Sequence, residues 1–478
     1  MNIDVYPNFC KVDGTKDELY WLRDLMTVKV PGAEYTALFQ RHQWDGTKKF
    51  FSAINKAFPI GLLAFVLQHK ERRVVNVIDH RVFPKFDQTV PVLKGVDLRE
   101  YQKQAILNCF KHKNCIVQAA TNAGKTVVFA GVIKKMHPMP TLILIHNKEI
   151  LLQIKKMVED LTGLKMGVIM SEGSNLKPVT IAMIKTLINR LGADQKITDF
   201  FDSVQCVIVD EVHHGVSKSL QSLLSSSKAS YRFGFSGTVH DDGTYAGMLI
   251  RSWIGSVVFE ITNDELISMG VSARPKVIMY EMDIAPLLHG IFDEAKEILI
   301  KRFGQYNGKQ LMSKIYDLSV RRGIVYNVER NSKTLEILKE HPGKSALIVV
   351  DMLDHGKEVK ALLQSHGVDA EFISGTSEVR ESALTKFKAG NLHVLISTNI
   401  IDEGVDISRI EVLILLAGRK SRRQVLQRIG RSLRKKAGEN IVYVYDFMDF
   451  GSKYLEKHSK ERYKIYVDEK FAVEFRSA

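Results

Sequence analysis

A phosphate-binding loop is the sharpest chemical signal in this sequence. The segment AATNAGKT (119–126) joins an apolar run that predicts a strand to one that predicts a helix. Backbone N–H groups of such a loop, and the N-terminus of its helix, surround phosphate oxygens. We predict that Lys125 neutralises the β- and γ-phosphates of a nucleotide and that Thr126 binds Mg²⁺. The other predicted loop contacts are Thr121, Asn122, Ala123 and Gly124.

A pair of carboxylates follows the apolar run CVIVD (206–210). Carboxylates at the C-terminal end of a parallel strand face the same crevice as a phosphate loop. Asp210 is suited to hold Mg²⁺, and Glu211 to take a proton from the attacking water. In isolation an Asp-Glu pair is usually a solvated turn, so the prediction depends on the loop upstream. His213 and His214 also suggest a metal, but no matching His or Cys cluster exists elsewhere, and we expect no zinc site.

A third element contributes two arginines three residues apart on a predicted helix. Arg431 and Arg434 in QRIGRSLR (427–434) share one helix face and are predicted to stabilise a γ-phosphate during hydrolysis. A basic surface helix is the alternative, because nine basic residues and no acidic one lie between Arg419 and Lys436.

Two sets of short apolar runs alternate with amphipathic helical stretches, which predicts parallel sheets covered on both faces. We therefore expect an α/β protein with two tandem RecA-like parallel-sheet domains. The predicted strands are 115–120, 141–146, 179–183, 206–210 and 231–237 in the first set, and 345–350, 370–374, 394–398, 412–417 and 441–447 in the second. Nearer the N-terminus, GLLAFVLQ (61–68) and VVNVIDH (74–80) are also predicted to be strands.

The expected domains are an N-terminal α+β accessory domain (1–92), an ATP-binding domain (93–262), a second domain with a helical lead-in (263–450) and a basic tail (451–478). We expect the tail to dock as a helix or to add to the nucleic-acid contact surface. The accessory domain contains RHQWDGTKKFF (41–51), in which aromatic and basic residues alternate around an Asp-Gly turn. One interpretation is a nucleic-acid contact through stacking and phosphate pairing. An equally weighted one is a tight hairpin that buries Trp44 and Phe50. The candidate contacts are Arg41, Trp44, Lys48 and Lys49.

Composition restricts the class of protein further. The chain has 478 residues, 68 Lys and Arg against 54 Asp and Glu, and a formal charge of +14, which favours polyanionic partners. Four dispersed cysteines suit a reducing compartment. No secretory signal and no apolar run of the roughly 20 residues that span a bilayer is present. We expect a cytoplasmic protein that does not enter a membrane.

Six ordered segments resemble the DExH helicases of superfamily 2 across about residues 95–450. The layout, with a short N-terminal domain and two compact helicase domains, is similar to the UvsW-like branch-migration and recombination helicases of phages. The segments are LREYQKQAI, AATNAGKT, VDEVHH, FSGT, STNIIDEGVDI and QRIGRSLR.

The resemblance implies roles for further residues. It implies that Gln102, supported by Arg99, reads the adenine edge, and that His213, Ser236 and Thr238 couple hydrolysis to domain movement. It also implies that Gly404 and Asp406 reach the nucleotide from the second domain, that Gln427 acts beside the two arginines, and that Thr398 contacts the nucleic-acid backbone. HNKEILLQ (146–153) lacks the Pro-Thr pair common in the first strand-contact motif, and Met183 replaces a usual threonine.

The leading functional prediction is an ATP- and Mg²⁺-dependent DNA helicase or translocase that unwinds or branch-migrates DNA. Its expected partners are single-stranded, forked or branched DNA, bound by a monomer, in the host cytoplasm if a phage encodes the chain. An RNA helicase is the first alternative, since backbone-tracking cores read little of the base. A nucleic-acid-binding protein whose nucleotide site only switches conformation is the second.

Overall fold

The computed structural model describes residues 1–84, 86–87, 89–213, 217–240, 243–375, 378–398, 410–418, 429–430, 433 and 440–477. The chain divides into two compact units, residues 1–262 and 263–478. Each unit contains a largely parallel sheet with helices in its connections, which confirms the predicted α/β class. No helix of the described residues is long and apolar enough to cross a membrane.

The first unit contains fourteen strands in its described part. In chain order they are β1 (Asn2–Val5), β2 (Phe9–Asp13), β3 (Thr27–Lys29), β4 (Thr47–Lys49), β5 (Ala57–Pro59), β6 (Asn76–Asp79), β7 (Asn114–Ala119), β8 (Thr141–Ile145), β9 (Gly167–Met170), β10 (Gly173–Asn175), β11 (Val179–Met183), β12 (Cys206–Asp210), β13 (Tyr231–Ser236) and β14 (Ser256–Ile261). Strands β7 to β14 form one sheet in the order β10-β9-β11-β8-β12-β13-β7-β14.

The helices of the first unit lie mainly in the connections between these strands. They are α1 (Lys16–Leu25), α2 (Ala37–Gln40), α3 (Leu63–Gln68), α4 (Glu100–His112), α5 (Lys125–Met136), α6 (Lys148–Thr162), α7 (Ile184–Arg190), α8 (Gln195–Ser203), α9 (Lys218–Ser226) and α10 (Tyr245–Ile254), with 3₁₀ turns at Ala33–Tyr35 and Ile60–Leu62.

The central strands of this sheet match the predicted apolar runs closely. Every residue of β8 and β13 is buried, and β11 and β12 have the predicted bounds. Continuous apolar strands form here because both faces of a parallel sheet are covered by the connecting helices. Strand β10 is the exception, since it pairs with β9 antiparallel.

The N-terminal residues form a smaller sheet in the order β5-β2-β1-β6. Its core includes Ile3, Val5 and Phe58, together with Met248 and Leu249 of α10. The prediction of a strand for GLLAFVLQ (61–68) was wrong, because this segment forms a 3₁₀ turn followed by α3. A short apolar run has no periodicity that separates a buried strand from a buried helix.

The second unit is built on a parallel sheet of seven described strands in the order β17-β18-β16-β19-β20-β15-β21. In chain order they are β15 (Arg274–Asp283), β16 (Ala346–Val349), β17 (Ala370–Ile373), β18 (Val394–Ser397), β19 (Val412–Leu415), β20 (Ile441–Phe450) and β21 (Ala472–Ser477). Its helices are α11 (Asn263–Ser268), α12 (Ile291–Phe303), α13 (Gly308–Val320), α14 (Val328–Glu340), α15 (Leu353–Ser365), α16 (Glu378–Ala389) and α17 (Lys453–Asp468), with a 3₁₀ turn at Ala285–Leu288 and a π-helical turn at Arg321–Val325.

The C-terminal residues, for which a docked helix was one expectation, form a helix and also a strand. Helix α17 and strand β21 belong to the second unit, and β21 pairs with β15 in parallel. Arg462 of α17 is buried, and its Nε lies 2.9 Å from Oδ2 of Asp446. At least this basic residue therefore belongs to the packed interior of the second unit and not to a nucleic-acid contact surface.

Candidate nucleotide-binding and active site

The predicted phosphate loop connects β7 to α5, and Lys125 is the first residue of that helix. Asn122 and Gly124 adopt left-handed backbone conformations, with φ of 74° and 79°. A left-handed conformation costs glycine nothing and asparagine little, so both residue types suit the turn. The loop therefore presents its backbone at the N-terminus of α5, where partial positive charge favours an anion.

Gly124 and Lys125 are held closely by their surroundings. A Cβ atom on Gly124 would lie 2.6 Å from Nε2 of Gln102, so only glycine fits this position without displacing its neighbour. The Nζ atom of Lys125 donates to the carbonyl of Ala119, at 3.3 Å across the loop. The ammonium group thus lies at the loop that the sequence predicts to hold phosphate. Thr121 and Thr126, like Lys125, are half-buried there.

Helix α4 is bonded to this loop by two side chains. Nε2 of Gln102 and the hydroxyl of Tyr101 both donate to the carbonyl of Ala123, each at 3.0 Å. Oε1 of Gln102 accepts from the backbone N–H of Arg99 at 3.0 Å, and Arg99 in turn donates from Nη1 to the Tyr101 hydroxyl at 3.2 Å. Gln102 is only 2% exposed. These bonds position the phosphate loop, while adenine reading by Gln102 stays a prediction.

Tyr101 is a site residue that the prediction missed. Its position next to Gln102 in LREYQ is the only signal in the sequence, and a tyrosine beside a polar residue is common on helices. The contact with Ala123 spans 22 positions of the sequence, so the fold alone brings the two together.

The paired carboxylates lie at the C-terminal end of β12. Burial, together with the neighbouring Glu211 carboxylate, raises the pKa of Asp210 to about 7, although the Lys125 ammonium opposes this rise. The backbone of Glu211 is left-handed, with φ of 48°, which is uncommon for a residue other than glycine. Backbone of this kind is concentrated at functional sites, where the surrounding structure maintains it.

A buried polar cluster joins Glu211 to the end of the neighbouring strand. Nδ1 of His213 lies 2.8 Å from Oγ of Ser236 and 3.1 Å from Oε2 of Glu211. The Ser236 hydroxyl donates to the carbonyl of Thr238 at 2.8 Å. The same hydroxyl oxygen lies 3.4 Å from Oε2 of Glu211, so the imidazole, the hydroxyl and the carboxylate form one connected cluster. His213 and Ser236 are 2% and 0% exposed, so any displacement of either would disturb the other.

His146 follows β8 at the same edge of the sheet. Burial lowers its pKa, and the nearby His213 and Lys185 lower it further. The sequence drew attention to HNKEILLQ only because it departs from the usual strand-contact motif. The structure places its histidine within electrostatic range of the buried cluster.

Sheet order explains why these distant segments meet. Strands β12, β13 and β7 are direct neighbours, and in register Asp210 lies opposite Phe235 and Ser236 opposite Gln118. The parallel strands end at the same edge, so the loop, the carboxylates and Ser236 all emerge there. Lys125, Asp210 and Glu211 are thereby brought together, as predicted, although 85 positions separate Lys125 from Asp210.

The residues at this edge fit a nucleotide with a divalent cation. Gly124, where a Cβ does not fit, allows a close backbone approach, and Lys125 supplies a cation. The half-buried carboxyl of Asp210 supplies an anionic oxygen ligand. Thr126 and Asp210 would hold Mg²⁺, and the loop with Lys125 would hold the phosphates. A bound MgATP would supply the bond that is hydrolysed and the charge that these groups stabilise.

The predicted nucleic-acid contacts of the N-terminal domain lie around β4. Arg41, Lys48 and Lys49 are exposed, whereas Trp44 is half-buried and its Nε1 donates to the carbonyl of Thr47 at 2.8 Å. Asp45 accepts from Thr47 and pairs with Lys49 at 2.8 Å, and Phe50 is buried in the domain core. The hairpin interpretation thus holds for Phe50 and in part for Trp44, and the exposed basic side chains remain available to a polyanion.

The predicted residues of the second unit are described only in part. Thr398 follows β18 and is 8% exposed, so its side chain is largely covered. The other predictions for this unit, and that for His214 of the first unit, lie outside the described residues and stay predictions. These residues are His214, Gly404, Asp406, Gln427, Arg431 and Arg434.

Two protein-family models match the chain. The model described as the res subunit of type III restriction enzymes matches residues 95–241, and the helicase conserved C-terminal domain matches residues 329–436. The first covers the phosphate loop and the carboxylates, and the second lies within the second unit. Helicase domains of this kind bind nucleotides.

Two curated relatives are named as helicases. The putative ATP-dependent helicase IRC3 of Saccharomyces cerevisiae is 27% identical over 74% of this chain and 52% of its own length. This chain thus spans about half the length of that relative. The ATP-dependent DNA helicase uvsW of Enterobacteria phage T4 is 21% identical over 96% of each chain.

Among solved structures, the helicase domain of Hef from Pyrococcus furiosus aligns with 78% of this chain and 99% of its own. The TM-score is 0.55 at 14% identity, which supports a shared fold.

Proposed function

Because the chain belongs to superfamily 2 of the helicases, related to UvsW, we propose that it is an ATP-driven DNA helicase or translocase. In this proposal, ATP hydrolysis drives movement along DNA and thereby unwinds or branch-migrates forks and junctions during recombination, repair or replication. The convergence of Lys125, Asp210 and Glu211 at one sheet edge is the observation that carries the proposal.

The first unit would bind and activate the nucleotide. Lys125 neutralises phosphate charge, Thr126 and Asp210 hold Mg²⁺, and Glu211 accepts a proton from the attacking water. The hydrogen bonds from Glu211 through His213 to Ser236 give the carboxylate a defined orientation. Proton uptake by Glu211 therefore changes the hydrogen bonds of Ser236 and, through them, the contact with Thr238. This supports the proposed coupling role of these residues.

The second unit would complete the site. In the proposal Arg431 and Arg434 stabilise charge on the γ-phosphate, and Gln427, Gly404 and Asp406 take the nucleotide-site roles that the helicase resemblance implies. Hydrolysis would then require closure of the two units, and closure followed by reopening would alternate their grip on one strand. Thr398 would contact the backbone of that strand.

Charge and chemistry support nucleic acid as the polymer. The formal charge of +14 favours a phosphate backbone, and the exposed Arg41, Lys48 and Lys49 give the N-terminal domain a surface for duplex DNA. The T4 relative is named as a DNA helicase, which favours DNA over RNA. Four buried free thiols suit the reducing cytoplasm, where we expect the protein to act as a monomer.

Nucleic-acid-stimulated ATPase activity tests the proposal. We expect MgATP turnover to rise with single-stranded DNA, and to rise more with a fork or four-way junction than with linear duplex. Lys125→Ala should abolish turnover while DNA binding persists. If only RNA stimulated turnover, the substrate would be RNA and not DNA. Unchanged turnover in Lys125→Ala would refute the assignment of the nucleotide site.

A further inference from the structure

Helices α12 and α13 of the second unit form a hairpin that the proposed nucleotide site does not use. Its base is packed into the unit, because Ala295 is 0%, Leu299 6% and Leu318 6% exposed. Its tip, residues 300–310, is exposed at every position except the half-buried Tyr306. The hairpin therefore projects from a fixed base.

The turn at this tip is well ordered by its own hydrogen bonds. Gly304 ends α12 in a left-handed conformation, with φ of 70°, and its N–H donates to the carbonyl of Ile300 at 2.8 Å. Asn307 and Gln310 cap α13 reciprocally, each backbone N–H donating to the other side chain at 2.9 Å. The tip thus presents its side chains in a defined geometry.

Apolar side chains are exposed at and beside the tip. Ile300 and Phe303 are each 53% exposed, and Met312 is 47% exposed. Exposed apolar clusters of this kind mark binding surfaces, whereas isolated apolar residues are ordinary. The guanidinium of Arg302 lies 5.1 Å from the centre of the Phe303 ring, so an aromatic ring and a cation are already paired.

The charge within the tip itself has a single sign. Between Ile298 and Tyr316 the sequence has four basic residues and no acidic one. Lys314 is paired with Asp317 at 2.9 Å, but Lys301, Arg302 and Lys309 have no acidic partner among the described residues. Lysine is depleted in the cores of protein interfaces, while exposed aromatic rings flanked by basic side chains are the usual surface for single-stranded nucleic acid.

We propose that the hairpin tip is a binding site for single-stranded DNA. A base stacks on Phe303 beside the Arg302 guanidinium, and Lys301 and Lys309 pair with the flanking phosphates. The inference rests on the proposed function, because that proposal identifies DNA as the polymer. It adds a contact in the second unit that does not depend on the base sequence. Such a contact holds an unpaired strand in preference to duplex, because only unpaired bases offer a free face for stacking.

The test measures binding to a single-stranded oligonucleotide that contains 2-aminopurine, by anisotropy and by base fluorescence. Phe303→Ala should weaken affinity roughly 5- to 150-fold, the range for loss of one aromatic stacking partner. It should also reduce the change in 2-aminopurine fluorescence on binding. Lys301→Ala should lower the slope of log K against log salt by about one.

Phe475→Ala is the matched control, because Phe475 is 43% exposed in the same unit but lies next to Glu474 and packs on Tyr463. It should leave affinity and fluorescence unchanged, and thermal unfolding should show that each variant is folded.

Wild-type affinity and fluorescence in Phe303→Ala would overturn the inference in favour of a protein-docking surface. A larger loss for RNA than for DNA would overturn the choice of ligand. Failure of the wild-type ATPase to respond to any nucleic acid would instead contradict the proposed function.

Discussion

Nδ1 of His213 lies 2.8 Å from Oγ of Ser236, and both side chains are buried beside the proposed general base Glu211. His213 lies just beyond β12 and Ser236 ends β13, so the hydrogen bond spans two neighbouring strands of the sheet. A change of charge or position at Glu211 therefore reaches the segment after β13 through three side chains, without any movement of the sheet itself.

Ser236→Ala should uncouple strand separation from ATP hydrolysis. The substitution removes the oxygen that bridges His213 and the carbonyl of Thr238, and should lower the free energy of unfolding by ~1 kcal/mol. We expect base pairs opened per ATP hydrolysed to fall, as measured by parallel unwinding and phosphate-release assays. Ser225→Ala, at a surface hydroxyl that donates only to Ser222, is the control. An unchanged ratio in Ser236→Ala would show that the cluster is only structural.

Glu211→Gln should retain ATP binding and lose turnover. The amide keeps the shape of the carboxylate but accepts no proton, and loss of a general base typically lowers the rate by roughly 100- to 10,000-fold. Single-turnover hydrolysis and equilibrium nucleotide binding measure the two effects separately. Glu172→Gln, at an exposed carboxylate paired with Lys148, should behave as wild type. Turnover within a few-fold of wild type in Glu211→Gln would assign the base elsewhere.

Gly124→Ala should damage nucleotide binding through two separable effects. Gly124 and Gly192 both have φ of 79°, so alanine is strained at either position. A Cβ at Gly124 would also lie 2.6 Å from Nε2 of Gln102, whereas at Gly192 it meets no atom within 4 Å. Both variants should lose ~1 kcal/mol of stability from strain, but only Gly124→Ala should raise the KM for ATP. Equal KM values in the two variants would contradict the close packing of loop and helix.

Acid should destabilise the second unit through His355. Burial, together with the neighbouring Arg330, lowers the pKa of His355 to about 3. Its Nε2 donates to Oδ1 of Asn331 at 3.0 Å, which fits the neutral ring. Below the ordinary histidine pKa of about 6.5 the unfolded chain binds a proton that the folded chain excludes. The contribution of His355 to the free energy of unfolding is thus fully present above pH 6.5 and is lost as the pH falls towards 3.

Chemical denaturation between pH 4 and pH 7 measures this contribution. Wild type should lose up to about 1.4 kcal/mol per pH unit from this group, and His355→Gln should flatten that dependence. His366→Gln, at an exposed histidine that ends the same helix α15, should not. Equal pH dependence in wild type and His355→Gln would place the acid sensitivity elsewhere.

Lys48 and Lys49 should contribute unequally to DNA binding by the N-terminal domain. Lys49 is paired with Asp45 at 2.8 Å, whereas Lys48 has no acidic partner among the described residues. If each lysine meets one phosphate, Lys48→Ala should lower the salt slope of duplex binding by about 0.9, and Lys49→Ala by less, because Asp45 already offsets its charge. Equal slopes in wild type and Lys48→Ala would remove Lys48 from the interface.

The sequence by itself determined the elements and the chemistry of the nucleotide site. Apolar runs such as 179–183 and 206–210 became buried parallel strands with the predicted bounds, because only a sheet covered on both faces buries consecutive apolar residues. The loop at Lys125 and the carboxylates after β12 could also be predicted, because each depends on residues that are close together in the chain.

Only the tertiary structure decided which residues act on one another. The bond from Tyr101 to Ala123, the burial of Gln102 and the His213–Ser236 contact depend on strand order and helix packing, which local spacing does not encode. The strand expected at GLLAFVLQ became α3, and the basic tail gave the expected helix α17 but also β21, because packing partners distant in sequence determine how short or polar segments fold.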